Sequence, residues 1–166
     1  MATPLVAIRD LTLQARTARG TAHILRGVTL DIGRGRILGV VGESGSGKSS
    51  LAACLLRLLP ANVTRLSGEV VFDGTDLLAH DEAAIAGWRG TRIAMIFQDP
   101  MTALNPLFTV GTHLVDVVRR REPGLPRVSA LLRAEAMLKR VAIPDPSARL
   151  RAYPHELSGG MRQRVM

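Results

Sequence analysis

Between residues 42 and 49 the chain reads Gly-Glu-Ser-Gly-Ser-Gly-Lys-Ser, which fits G-x-x-x-x-G-K-[ST] at every fixed position. An apolar run, Ile37-Leu38-Gly39-Val40-Val41, precedes it, and a segment of helical character, Ser50 to Leu59, follows. This strand–loop–helix order constrains the fold more than any other feature, because it is the setting in which such a loop wraps an anion. A polyphosphate must lie against backbone N–H groups, so bulky Cβ atoms are excluded there. Gly42, Gly45 and Gly47 allow the tight path with positive φ. The helix starting near Lys48 then aims its unsatisfied N–H groups and its dipole at the anion. Lys48 is placed to reach the β- and γ-phosphates, and the Ser49 hydroxyl to ligate Mg²⁺. The plain alternative is a Gly/Ser-rich turn that binds nothing.

The rest of the chain narrows the class. Its 166 residues suit one domain, or one domain with a small appendage. No stretch approaches the roughly 18 uninterrupted apolar residues of a membrane span, since Leu51–Leu59 is broken by Arg57 and ends at Pro60. The opening Met-Ala-Thr-Pro has no basic region followed by an apolar one, so no signal peptide is expected. The single cysteine, Cys54, sits at a helical position among apolar neighbours and reads as a small core residue. The formal charge of +8 comes from twenty arginines and two lysines against 14 acidic residues. The basic residues are scattered apart from Arg119-Arg120-Arg121, which suits a helix C-terminus. With only 3% aromatic residues there is little for bases to stack on, so nucleic acid is not the expected partner. His23, His80, His113 and His155 show no metal-ligand spacing.

In order, Leu5, Ala7, Leu11 and Leu13 give a β-like pattern, and Val28, Leu30 and Ile32 alternate with polar residues as in a half-buried strand. A polar stretch, Gln14 to Thr21, separates the two. Gly33-Arg34-Gly35 turns the chain into Ile37–Val41, expected to be a buried strand. Ser67 to Gly74 reads as a short strand and Asp81 to Trp88 as a short helix with an acidic start. Arg92 to Phe97 is expected to be a second buried strand, ending at Gln98. From Val110 the spacing turns helical: Val110, Leu114, Val117 and Val118 share one face, and Val128 to Val141 form a second helix that Pro144 and Pro146 stop. Ser147 to Tyr153 suggests one more short helix, and Ser158-Gly159-Gly160 opens another.

Leu157-Ser158-Gly159-Gly160-Met161-Arg162-Gln163 resembles the signature motif of ATP-binding-cassette (ABC) ATPases. The wider phrases Phe97-Gln98-Asp99-Pro100-Met101-Thr102-Ala103-Leu104-Asn105-Pro106 and Tyr153-Pro154-His155-Glu156-Leu157-Ser158-Gly159-Gly160 are similar to those of dipeptide, oligopeptide and nickel importer subunits. The resemblance covers about Leu5 to Met166 and implies an α/β fold. It is that of a P-loop NTPase of ABC ATPase type, with an antiparallel β subdomain, a partial RecA-like core and a helical subdomain, incomplete at the C-terminus. The implied division is about 1–109 for the β subdomain and P-loop core, about 110–157 for the helical subdomain, and 157–166 for the signature motif and the start of its helix.

The same resemblance implies site roles. Gly42, Glu43, Ser44, Gly45, Ser46, Gly47, Lys48, Ser49 and Ser50 would hold the phosphates of ATP, and Gln98 would contact Mg²⁺ and the attacking water. An amide suits both tasks, its carbonyl facing a hard cation while its NH₂ donates. Ser158, Gly159 and Gly160 would bind the γ-phosphate of ATP held by a second ABC subunit in a head-to-tail dimer. The plainer readings are a capping polar residue for Gln98 and a simple helix start for Ser158. Implied partners are integral membrane permease subunits, with an extracytoplasmic solute-binding protein acting indirectly, at the cytoplasmic face of the inner membrane. Two departures stand out. Family members carry an aromatic residue before the phosphate loop to stack on adenine, and Ala15 falls at that place, with His23 the only nearby substitute. The family also continues past the signature helix into an apolar strand ending in Asp, a catalytic Glu and a switch histidine, none of which lies among these residues. The competing readings are a soluble ABC ATPase acting on nucleic acid and a non-catalytic nucleotide-binding fragment.

Overall fold

The computed structural model describes residues 3–99 and 103–166; Met1, Ala2, Pro100, Met101 and Thr102, three of them within the phrase quoted above, lie outside the described residues. The chain divides into two compact units, one up to Arg89 and one from Gly90.

The first unit is built on an antiparallel sheet of order β2-β1-β3-β4. The strands are β1 (Val6–Thr17), β2 (Gly20–Ile32), β3 (Val63–Phe72) and β4 (Thr75–Asp76). Residues 14–21, expected to be a linker, instead extend a hairpin, with Gln14 opposite His23 and Thr17 opposite Gly20. Likewise β3 begins at Val63, ahead of the expected Ser67.

The inward residues of β1 are Val6, Ile8, Leu11, Leu13 and Ala15 rather than Leu5 and Ala7. The change of phase between Ile8 and Leu11 is a bulge. Ile8 and Leu11 pair with Leu30 and Val28 of β2, and Arg9 and Thr12 with Glu69 and Ser67 of β3, so β1 carries one extra residue against both neighbours. Asp10, at φ 48°, takes up the extra length. Without the bulge a period of two would turn Leu11, Leu13 and Ala15 to solvent. On β3 the site facing it must be glycine: Gly68 has φ +107°, and a Cβ there would stand 2.6 Å from the Asp10 carbonyl oxygen and 2.7 Å from that of Arg9.

Helix α1 (Lys48–Leu56) buries Cys54 and Leu56, while α2 (Glu82–Trp88) buries Ile85 and is capped by the Asp81 carboxylate, which accepts from Ala84 N. The expected strand Ile37–Val41 is absent: residues 36–43 pair with no strand. Ile37 and Val41 are almost fully exposed, at 101% and 96%. The same holds in the second unit for residues 94–97, where Ile96 is 73% and Phe97 46% exposed; only Ile93 makes a bridge. The reason is physical. Apolar runs of this kind are parallel-sheet strands, held by neighbours on both edges and covered on both faces, and no described strand flanks either run.

The second unit is helical: α3 (Val110–Arg121), α4 (Arg127–Arg140), α5 (Pro146–Arg151), a 3₁₀ turn (Pro154–Glu156) and α6 (Gly159–Val165). Thr109 caps α3 by accepting from Thr112 N, and Arg119, Arg120 and Arg121 fill its last turn, where the dipole favours cations. Pro146 starts α5 instead of merely stopping α4, since its missing N–H costs nothing at a first helical position. Val110, Ala134, Leu138, Ile143, Leu150, Leu157 and Val165 form the core.

Two outcomes follow for residues 1–166. Gly68→Ala is expected to cost about 1–3 kcal/mol, the range for a strained backbone site, read as a lowered denaturation midpoint. Ile37→Ser with Val41→Ser is expected to shift stability by no more than about 0.5 kcal/mol while reducing binding of an apolar dye. A loss of several kcal/mol would mean that these side chains are buried in solution.

Candidate functional site

The phosphate loop joins residues 36–43 to α1 in the first unit. Its first turn is closed by Ser46 N donating to Glu43 O at 3.2 Å. Gly47 is the N-cap of α1 with φ 92°. A Cβ there would lie 2.9 Å from the Ile24 carbonyl oxygen and 3.0 Å from Leu25 Cδ2, so only glycine lets the helix start against β2. Leu51 N donates to Gly47 O at 2.8 Å and continues the helix. The N–H groups of the first turn have no intrahelical acceptor, and the loop that presents them, from Gly42 to Ser46, is exposed.

Lys48 folds back over this loop. Its Nζ donates to Gly42 O at 2.9 Å, Glu43 O at 2.5 Å and Ser46 Oγ at 3.2 Å. The ammonium thus uses its three donors within the loop, and its charge stands at the mouth of the turn. Ser49 is exposed in the first turn of α1, and Ser50 is half-buried. Loop and helix start therefore form one anion-binding arrangement of glycine backbone, helix N-terminus and a single cation, which fits a polyphosphate.

Ala15 is 3% exposed, paired with Ala22 and Val63 on the packed face, and offers no surface for a base. His23 pairs with Gln14, the neighbour of Ala15, and so lies on the opposite face, exposed to solvent.

In the second unit Gln98 occupies an exposed bend instead of the end of a paired strand. Ser158 is the N-cap of α6, and its Oγ accepts from Met161 N at 3.3 Å. Gly159 and Gly160 are exposed, and a Cβ built on either would meet no atom of the described residues within 4 Å. Helix α6 is moored by Leu157 and Val165 in the core, and by Arg164 Nη1, which donates to Val141 O and Ala142 O at 3.3 and 2.5 Å. The turn before it is fixed by Tyr153 N donating to Glu156 Oε2 at 2.7 Å, with the rings of Tyr153 and His155 stacked at 5.6 Å. The mooring by Arg164 could not be read from sequence, because the acceptor carbonyls lie 22 and 23 positions away.

Residues 25–166 match the profile of the ABC transporter family. The chain belongs to that family. It is 45% identical to a probable D,D-dipeptide transport ATP-binding protein of Escherichia coli, over 100% of this chain and 51% of that protein. It is 41% identical to an oligopeptide transport ATP-binding protein of Bacillus subtilis, over 99% of this chain and 46% of that protein. The chain thus spans about half the length of the curated relatives it matches. Among solved structures it is similar to a dimeric bacterial ABC transporter cassette at 25% identity, with a TM-score of 0.84 over 96% of this chain and 66% of the other. A post-hydrolysis state of that cassette, bound to ADP and Pi, matches at 26% identity with the same TM-score and coverage. The fold is accordingly that of the ABC cassettes. No helix among the described residues is long and apolar enough to cross a membrane.

Cys54, in the last turn of α1, is fully buried, and burial pushes its thiol up to about 11 from an ordinary 9.0. Its thiolate is therefore disfavoured in the fold, so the stability this burial carries is complete below pH 9 and falls away as pH rises toward 11. At pH 8 iodoacetamide is expected to leave Cys54 unmodified in folded protein and to alkylate it in urea. Mass spectrometry showing full modification without denaturant would contradict the buried placement.

Proposed function

We propose that this chain is the ATP-binding part of a subunit that couples ATP binding and hydrolysis to the import of peptides, or a related solute, through a membrane permease. The observation that carries the reading is the phosphate loop itself: Lys48 Nζ bonded into a loop whose last glycine starts α1 against β2. The peptide-transport names of relatives that match nearly the whole chain support the transported class.

In this proposal Gly42 to Ser50 hold the phosphates of ATP. Lys48 leaves its loop carbonyls for the β- and γ-oxygens, exchanging neutral acceptors for charged ones, which form the stronger hydrogen bonds. Ser49 and Gln98 supply oxygen ligands to Mg²⁺. Ser158, Gly159 and Gly160 serve the nucleotide of a second subunit. The open space around Gly159 and Gly160 supports that role, since no contact among the described residues requires glycine there. The helical subdomain, about 110–157, meets the permease, and the subunit works at the cytoplasmic face of the membrane.

Binding is expected to be driven by phosphates and weakly selective for the base. An aromatic stack is worth roughly 1–3 kcal/mol, and the buried Ala15 supplies none. Residues 1–166 are expected to bind without turnover. Hydrolysis needs a group that polarises the attacking water and another that stabilises the transferred charge, and the Glu and switch histidine that the resemblance implies for these tasks do not lie among residues 1–166.

The test is calorimetric titration of residues 1–166 with MgATP and MgGTP, alongside a phosphate-release assay. Expected are affinities within about threefold of each other, loss of binding in Lys48→Ala, unchanged monomer binding in Ser158→Arg, and no phosphate release. Binding that survives Lys48→Ala would overturn the phosphate-loop assignment. Loss of binding in a folded Ser158→Arg would overturn the division of the site between two subunits.

A further inference from the structure

The far end of α1 is held as deliberately as its start. No basic residue lies in its last turn, and the helix closes at Arg57, which is left-handed with φ 51°. The backbone N–H groups of Arg57 and Leu58 return to Cys54 O and Ala53 O. The Leu56 carbonyl, with Leu56 itself buried, accepts instead from outside the helix: Arg89 Nε donates to it at 2.7 Å. Arg89 follows α2 and is itself fixed, its Nη1 paired with Glu82 Oε1 and its side chain only 23% exposed. The Arg89 hydrogen bond holds the Glu82 carboxyl below the usual carboxylate range, so the pair stays charged at neutral pH. Arg57, at the same end, donates through Nη1 to the carbonyls of Leu77 and His80. Two guanidinium groups thus stand at the negative end of the helix dipole, and one of them bonds a terminal carbonyl directly.

Nine residues make a rod about 14 Å long. Its start abuts β2 at Gly47 with no room for a methyl group, while in its last turn Cys54 and Leu56 are buried and the Leu56 carbonyl is tied by Arg89. A helix held at both ends keeps its tilt. Released at the end, it can turn about its contact with β2 at Gly47, and its first-turn amides and Lys48 turn with it. We propose that Arg89 is a positioning residue for the phosphate loop: by holding the Leu56 carbonyl it fixes where the amides and ammonium at the other end of α1 meet phosphate. The proposal rests on the nucleotide-binding reading above and adds to it a residue distant from the loop in sequence and at the opposite end of the helix.

The test uses residues 1–166 titrated with MgATP and with inorganic tripolyphosphate, which has no base or sugar. Arg89→Met is expected to weaken both by about tenfold, the factor that loss of roughly one charge-assisted hydrogen bond corresponds to. The equal loss for both probes marks a phosphate effect. Glu82→Gln removes the Nη1 ion pair but keeps the Nε bond, and is expected to cost threefold or less. Arg89→Lys is expected to fall between Glu82→Gln and Arg89→Met. Hydrogen exchange is expected to quicken at the Arg57 and Leu58 amides in Arg89→Met while β1 amides stay protected. Affinities within twofold of the parent in a folded Arg89→Met would overturn the proposal. If Arg89→Met does not fold, equal affinities in Glu82→Gln, Arg89→Lys and the parent overturn it instead. A parent chain that binds neither probe in a Lys48-dependent way defeats the nucleotide reading itself, and this proposal with it.

Discussion

The first unit depends on a contact too close for any side chain: the backbone of Gly47 against the carbonyl of Ile24. It joins the two parts that give this unit its chemistry, an antiparallel sheet and a helix with free N–H groups at its start. Moving α1 away far enough to fit a methyl group would separate the loop from the strand that braces it. It would also draw Cys54 and Leu56 out of their packing. The sheet meets the helix with an unbroken apolar face only because β1 inserts Asp10 and restores its phase, which in turn calls for Gly68 on the neighbouring strand. Two backbone conditions, in different strands, therefore stand behind the geometry of one loop.

Much of this was legible in the sequence. The spacing of Gly42, Gly45, Gly47 and Lys48 gave the loop, the acidic start of α2 and the basic end of α3 matched helix dipoles, and Ser158 stood where an N-cap is wanted. Those features are local, written within one or two turns. What escaped was of longer range. The bulge at Asp10 disguises the inward face of β1, because a period of two read back from Leu13 and Leu11 lands on Ala7 and Leu5, whereas the inserted residue turns Ile8 and Val6 inward instead. The hairpin beyond Leu13 is mostly polar, and its tip is closed by hydrogen bonds such as Thr17 Oγ1 donating to Gly20 O, which no hydrophobic pattern encodes.

The two apolar runs at 37–41 and 92–97 depart from the strand pattern for another reason. Composition tells what a segment would do with partners; it does not supply them. Ile37, Val41 and Ile96 carry the residue types of a buried parallel strand, yet stand exposed among the described residues. The second unit is affected less. Its helices satisfy their own backbone groups, and their apolar faces close on one another through Val110, Leu138 and Leu150.

The empty surroundings of Gly159 and Gly160 bear on how mutational data for this chain would read. Alanine at either position meets no neighbour among the described residues, and within a helix it is favoured over glycine by up to about 1 kcal/mol. A screen that scores solubility or melting temperature of the isolated chain would therefore rank these two positions among the most permissive, even as improvements. Any intolerance that a growth-based selection found there would be invisible to the folded monomer. The disagreement between the two rankings would itself mark out the surface that the chain keeps bare.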